Sequence, residues 1–294
     1  MRLNGFINLL KPPGMTSQDA VSRVKRLLPR GTSVGHGGTL DPDAAGVLPI
    51  CVGRATRLFD YIVDKRKEYI GELALGVSTD TCDSSGRITE QSACLPGRAE
   101  VEKALGSFVG DIMQAPPVFS AIKRGGEALY KKARRGESVD IPARQVRIEA
   151  LELICQTAPD RYLIRINCGK GVYIRSLMRD IAGELGCPGH MSFLLRTASG
   201  AFTIEDAVAL DELETIERHI RPMDCLLGAY PAVRLVPGAR DKVLNGSVLT
   251  EDDIAFTDAG PGQIARLYVE EAFAGMADRL PEGAKLRCML LERD

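Results

Sequence analysis

Residues 35 to 57 hold the chain's densest run of side chains suited to chemistry. They read Gly-His-Gly-Gly-Thr-Leu-Asp-Pro-Asp-Ala-Ala-Gly-Val-Leu-Pro-Ile-Cys-Val-Gly-Arg-Ala-Thr-Arg. Gly35, Gly37 and Gly38 let the backbone take conformations closed to other residues and come close to a ligand. His36 sets a polar ring among them. Pro42 steers Asp41 away from the helical region, so its carboxylate is presented from an extended loop. The chemistry on offer is that of one presented carboxylate. Asp before Pro also starts ordinary turns, and both readings use the same residues.

Other chemistries lack their residues. The cysteines at 51, 82, 94, 155, 168, 187, 225 and 288 form no Cys-x-x-Cys pair, and the histidines at 36, 190 and 219 are scattered. Neither zinc nor a dense disulfide framework is suggested, and free cytosolic thiols are expected. There is no Walker loop and no Gly-x-Gly-x-x-Gly. A redox or nucleotide cofactor has no visible seat, and neither a metal nor a cofactor is expected.

Gly-His-Gly-Gly-Thr-Leu-Asp-Pro followed by Gly-Val-Leu-Pro resembles the signature of the TruB-type pseudouridine synthases, the bacterial tRNA pseudouridine-55 synthases. Further motifs follow the same order along residues 5 to 202. They are Lys11-Pro-Pro-Gly-Met-Thr-Ser, Lys67-Glu-Tyr69, Lys170-Gly-Val-Tyr173-Ile-Arg175 and the stretch Leu194-Leu195-Arg196. The resemblance implies that Asp41 acts as nucleophile or base and that Arg175 reaches it with a two-pronged hydrogen bond. Tyr69 stacks on a displaced base, with its hydroxyl near the reacting sugar as a candidate proton acceptor. Tyr173 packs on the base or bonds within the Asp–Arg pair. Leu194 lines the base pocket and Arg196 lies close to the RNA. His36 fills the space left by the flipped base, and Lys11 contacts RNA or buttresses the loop. One departure is Ala45, where the family more often has Ser or Thr; a hydroxyl that can brace the loop is missing.

The elements that must position these residues are partly legible. Residues 5 to 10 read as a strand, ended by a Pro-Pro-Gly turn. Thr16 or Ser17 caps a helix carrying Val21, Val24, Leu27 and Leu28. Residues 54 to 63 and 98 to 108 read as helices, and 69 to 77 as a strand. Residues 146 to 156 and 161 to 168 form a hairpin, followed by a helix from near Val172 with Leu177, Ile181 and Leu185 inward. Residues 114 to 147 contain Lys123, Arg124, Lys131, Lys132, Arg134, Arg135, Arg144 and Arg147 against few acids, and a helix near 126 to 135 would carry much of that charge. The resemblance makes this segment an insertion that grips an RNA stem-loop through phosphates.

The expected class is α+β: a mixed, mostly antiparallel sheet with flanking helices, plus a small β-rich C-terminal domain of the PUA type. The expected domains are residues 1–228 and 229–294, with a boundary between Leu226 and Pro231. Residues 203 to 294 carry 10 Lys/Arg and 18 Asp/Glu, a balance of −8, which leaves +7 for residues 1 to 202 from a total of −1. Any phosphate-binding surface therefore lies on the first part. No apolar run spans a membrane and the N-terminus has no signal-peptide pattern. The expected partner is the T-arm stem-loop of tRNA, bound in the cytoplasm by a monomer with no obligatory protein partner. A guide-RNA-dependent synthase subunit and a non-catalytic RNA chaperone are the alternatives.

Overall fold

The computed structural model describes residues 3–62, 66–93, 95–119, 123–124, 127–128 and 141–292, the two short pieces by backbone alone. The chain opens with β1 (Gly5–Lys11), in which Phe6, Ile7 and Leu9 are fully buried. α1 (Ser17–Arg26) starts from a capping box. Thr16 Oγ1 accepts from the Asp19 amide, and the Asp19 carboxylate accepts from the Thr16 amide. Arg23, Lys25 and Arg26 in its last turn suit the negative end of the helix dipole. β2 (Val34–His36) and β3 (Ala45–Val52) flank the Asp41 loop. The helix expected at 54 to 63 is a 3₁₀ turn, Gly53–Leu58, running into α2 (Phe59–Ile62).

Next come β4 (Lys67–Leu75), the small pair β5 (Val77–Thr79) and β6 (Ile88–Gln91), α3 (Arg98–Gly106) and β7 (Gly110–Gln114). Two-residue strands β8 (Lys123–Arg124) and β9 (Glu127–Ala128) pair with each other. Glu127 and Ala128, within the helix expected near 126 to 135, are strand; the rest of that stretch lies outside the described residues, as do Lys131, Lys132, Arg134 and Arg135. β10 (Arg144–Ala158) and β11 (Arg161–Cys168) form the expected hairpin, longer than the sequence indicated. α4 (Ile174–Glu184), β12 (Gly189–Ser199), β13 (Phe202–Thr203) and β14 (Val208–Ala209) complete the first sheet.

The strand order is β14-β1-β3-β12-β4-β11-β10-β7, with β2 on β3 and β13 on β12. In this sheet, among the described residues, the β1–β14 and β12–β3 pairs are parallel and the others antiparallel. α4 lies against the face of the sheet that carries Tyr69 and Leu194. It buries Ile174, Leu177, Met178 and Ile181, and Gly71 makes room for it, because a Cβ there would stand 2.7 Å from Met178 Cε.

A second sheet is built from β15 (Ala232–Leu235), β16 (Leu249–Thr250), β17 (Ile254–Thr257), β18 (Ile264–Val269), β19 (Ala272–Leu280) and β20 (Gly283–Met289). A short α5 (Arg240–Leu244) packs on it, and it has a core of its own around Val233, Leu249, Ala265 and Leu267. A third apolar cluster joins the two parts: Phe6, Val47 and Cys51 of the first sheet and Leu58 of the 3₁₀ turn cluster with Met276 and Cys288 of the second sheet and Leu290 just beyond it. Arg54 and Arg57 add donors across the junction, to the carbonyls of Leu290 at 2.9 Å and Met289 at 2.6 Å. Tyr268 of β18 donates to Asp224 in the connecting segment at 2.7 Å.

Candidate active site

The loop from Gly37 to Ala44 carries Asp41 between β2 and β3, and it is held from four directions. Gly37 N–H donates to Pro49 O at 2.7 Å, and Ala44 N–H to Asp41 O at 3.2 Å. Ser17 Oγ, at the start of α1, both donates to Leu40 O and accepts from Leu40 N–H. The Lys11 ammonium donates to Pro12 O, Met15 O and Pro42 O at 2.8, 2.8 and 3.0 Å. The Arg196 guanidinium donates to Val47 O, Gly38 O and Thr39 O at 2.6, 3.0 and 3.4 Å. Gly46 has φ +112°, and a Cβ there would lie 2.2 Å from Arg196 O, so only glycine lets β3 and β12 meet.

Lys11, expected to contact RNA or to buttress the loop, and Arg196, expected close to the RNA, are both fully buried, with their donors turned to loop carbonyls. For Lys11 this geometry matches the buttress, and the Arg196 guanidinium is bound to the same loop. A buried cation needs all its donors satisfied, and an unpaired loop carbonyl needs a donor; each supplies the other. Burial pushes the Lys11 ammonium down to about 8, against the opposing pull of Asp43 and Asp41.

Arg175 meets Asp41 side-on, Nε to Oδ2 at 2.8 Å and Nη2 to Oδ1 at 3.1 Å. Its other N–H groups go to Thr81 O at 3.2 Å and Phe119 O at 3.1 Å. Arg175 is 5% exposed, whereas the Asp41 side chain is 36% exposed. The pair thus has a buried cation with four hydrogen bonds and a carboxylate that opens outward.

A second carboxylate, Asp83, lies 3.6 Å from Arg175 Nε. It was not singled out in the sequence, where it sits in a polar turn. Its Oδ1 accepts from Thr81 Oγ1, Ser85 Oγ and Ser85 N–H, which leaves Oδ2 for the guanidinium. Cys82 between them has φ +60°, a left-handed conformation uncommon outside glycine. That twist turns Thr81 O and the Asp83 carboxylate toward one arginine. Only the Thr-Asp-Thr-Cys-Asp-Ser-Ser clustering signals it in the sequence, and clustering alone does not distinguish it from any Asx turn.

Tyr69 stands opposite Arg196 in the β4–β12 register and is 7% exposed. Burial pushes its phenol up, with the Arg196 charge opposing, so it is an O–H donor at neutral pH. Leu194 is two residues from Arg196 on the same face, buried opposite Gly71. His36 ends β2, and burial lowers its pKa, so the ring is neutral at pH 7. Its Nδ1 is buried with no hydrogen-bond partner among the described residues. Tyr173 precedes α4, its ring under the Arg144 guanidinium at 5.2 Å. The Lys123 side chain lies outside what the structure describes. Among the described residues no group of three or more His, Cys, Asp or Glu could hold a metal ion.

The fold and this arrangement define a class. The crystal structure of an archaeal box H/ACA sRNP Nop10–Cbf5 complex contains a chain that superposes with a TM-score of 0.75 at 25% identity, over 99% of this chain and 87% of that one. The class is the pseudouridine synthase fold. The model of the TruB family pseudouridylate synthase N-terminal domain matches residues 25–174, and that of the tRNA pseudouridylate synthase B C-terminal domain matches 175–228. The tRNA pseudouridine synthase B of Caldanaerobacter subterraneus subsp. tengcongensis is 44% identical over 98% of both chains. That of Alkaliphilus oremlandii is 42% identical over 93% of this chain and 92% of its own. The chain belongs to the TruB family of pseudouridine synthases.

Proposed function

We propose that the protein isomerises uridine 55 in the T-loop of tRNA to pseudouridine. The observation that carries this reading is the Asp41–Arg175 pair opening outward beside Tyr69, in a chain of this family. The target base leaves the loop's stack, at a cost of a few kcal/mol. Tyr69 stacks on the uracil, offsetting part of that cost, and His36 occupies the vacated space. Asp41 acts on the sugar as nucleophile or as base. The N1–C1′ bond breaks, the uracil turns, and C5 bonds to C1′. The C5 proton is then lost and N1 gains one, so the product is an isomer of the substrate and no electrons are exchanged.

Arg175 fixes Asp41 in both schemes, and Tyr173 and Leu194 bound the base pocket. The basic stretch 114 to 147, Lys123 included, grips the T-arm phosphates. Residues 1–228 form the catalytic domain. Residues 229–294 form an auxiliary PUA-like domain, whose acidity suits a supporting role better than a phosphate contact. The protein works as a cytoplasmic monomer, without guide RNA or protein partner.

The test is pseudouridine formation in an unmodified tRNA transcript, wild type beside Asp41→Asn. The wild type modifies the T-loop uridine unaided, and the variant binds without turnover. The likeness to the Cbf5 chain favours a second reading, a guide-dependent subunit. Turnover of an isolated T-arm hairpin by the pure protein decides against it; binding without turnover by the wild type decides for it.

A further inference from the structure

Gln114 is the last residue of β7 and is 1% exposed. Its carboxamide forms a reciprocal pair with the backbone of Tyr173: Tyr173 N–H donates to Oε1 at 2.8 Å, and Nε2 donates to Tyr173 O at 3.2 Å. Tyr173 has no side-chain cap of its own, yet it sits where α4 begins and its carbonyl takes the helix's first bond, from Leu177. Arg175, two residues on, is thereby aimed at Asp41. The strand that returns to the sheet holds the same tyrosine from the other side. Arg144, the first residue of β10, stacks on its ring and donates to Gly171 O. Past Gln114 the chain is tied to α4 three more times. Ser176 Oγ and Arg179 donate to Ala115 O, and Arg175 donates to Phe119 O.

We propose that Gln114 is a positioning residue for the reaction: its carboxamide fixes Tyr173 and the first turn of α4, so that Arg175 holds Asp41 in its reactive place. This rests on the reading of Asp41 and Arg175 given above. An isosteric side chain that cannot both give and take a hydrogen bond loosens the helix start. Displacements of about 1 Å at a reacting group can cost about 100-fold in rate.

The charge of a single atom pair provides the test. In Gln114→Glu the neutral acid still donates to Tyr173 O and accepts from Tyr173 N–H, whereas the carboxylate faces that carbonyl with no proton. Burial raises a carboxyl pKa, so the variant changes form within the working pH range. Single-turnover rates on a T-arm hairpin are expected near wild type at pH 5.5. They fall about tenfold to 100-fold by pH 7.5, a range over which the wild-type rate stays flat, with the hairpin Kd unchanged within twofold. Gln114→Leu is slow at every pH.

Hydrogen exchange at the Tyr173 amide, measured on the full chain, reads the same contact without substrate. It speeds at least tenfold in Gln114→Leu while the core strands stay protected. A Gln114→Leu enzyme within twofold of wild-type rate overturns the proposal. So does a pH-independent Gln114→Glu enzyme, or unchanged exchange at Tyr173. If wild type itself does not turn over, the assigned reaction fails, and the exchange result alone decides whether Gln114 positions the helix start.

Discussion

The buried ammonium of Lys11 makes stability and activity respond to pH in opposite directions. In the unfolded chain Lys11 titrates at its ordinary 10.5, and in the fold at about 8. Between those values the unfolded state binds the proton and the native state does not, so native stability rises with pH there. It is greatest above 10.5 and is lost as the pH falls through 8. Each pH unit corresponds to about 1.4 kcal/mol, so the whole rise is about 3 kcal/mol. Activity runs the other way. A neutral amine has two N–H donors for the three carbonyls of Pro12, Met15 and Pro42, and Pro42 adjoins Asp41. The loop therefore loses an anchor as stability rises.

The assay is urea unfolding at pH 7, 8, 9 and 10 for wild type and Lys11→Met, with single-turnover rates on the same samples. Subtracting the variant removes the titration of other tyrosines and cysteines. The difference in unfolding free energy should be flat below pH 7.5 and then climb toward about 3 kcal/mol. The wild-type rate should fall above pH 8. A difference that stays flat to pH 10, or declines, refutes the buried-cation account of Lys11.

Arg175→Met leaves Asp41 and Asp83 facing an apolar side chain. We expect a loss of about 3–5 kcal/mol in stability and about 100-fold or more in single-turnover rate, read by urea melts and rapid quench. Arg196→Leu strands the carbonyls of Gly38, Thr39 and Val47, at about 1–3 kcal/mol each; a melt within 1 kcal/mol of wild type would sink its assigned role. Removing residues 229–294 takes Met276, Cys288 and Leu290 off the joining cluster. At about 1.5–3 kcal/mol per buried side chain, stability should drop by about 5 kcal/mol, while any folded truncate keeps measurable single-turnover activity. Burial pushes the Cys51 and Cys168 thiols up to about 12. At pH 8 both should resist iodoacetamide until the protein is unfolded, as peptide mapping would show.

The residues with the plainest local signals were legible in the chain. Asp-Pro in a glycine-rich loop located the presented carboxylate, because the φ/ψ demands of Gly and Pro are local. Residues 161 to 168 read as a strand in the chain, and in β11 the alternate residues Tyr162, Ile164, Ile166 and Cys168 are the buried ones. Boundaries were less legible: β10 extends to Arg144, because its first residues pair with β7 and nothing local announces that partner.

The sequence by itself determined the family, the order of the motifs and the carboxylate at their centre, since each is a matter of residue type and short spacing. Tertiary structure decided what each charge does. Lys11 and Arg196 have the residue types of RNA contacts, yet packing buries both, and only a buried donor with carbonyls within reach becomes a brace. Asp83 and Gln114 look ordinary in the chain. They matter because the turn after β5, the end of β7 and the start of α4 converge from distant parts of the sequence on one arginine and one tyrosine, and hydrogen bonds form between groups that meet in space, whatever their separation along the chain.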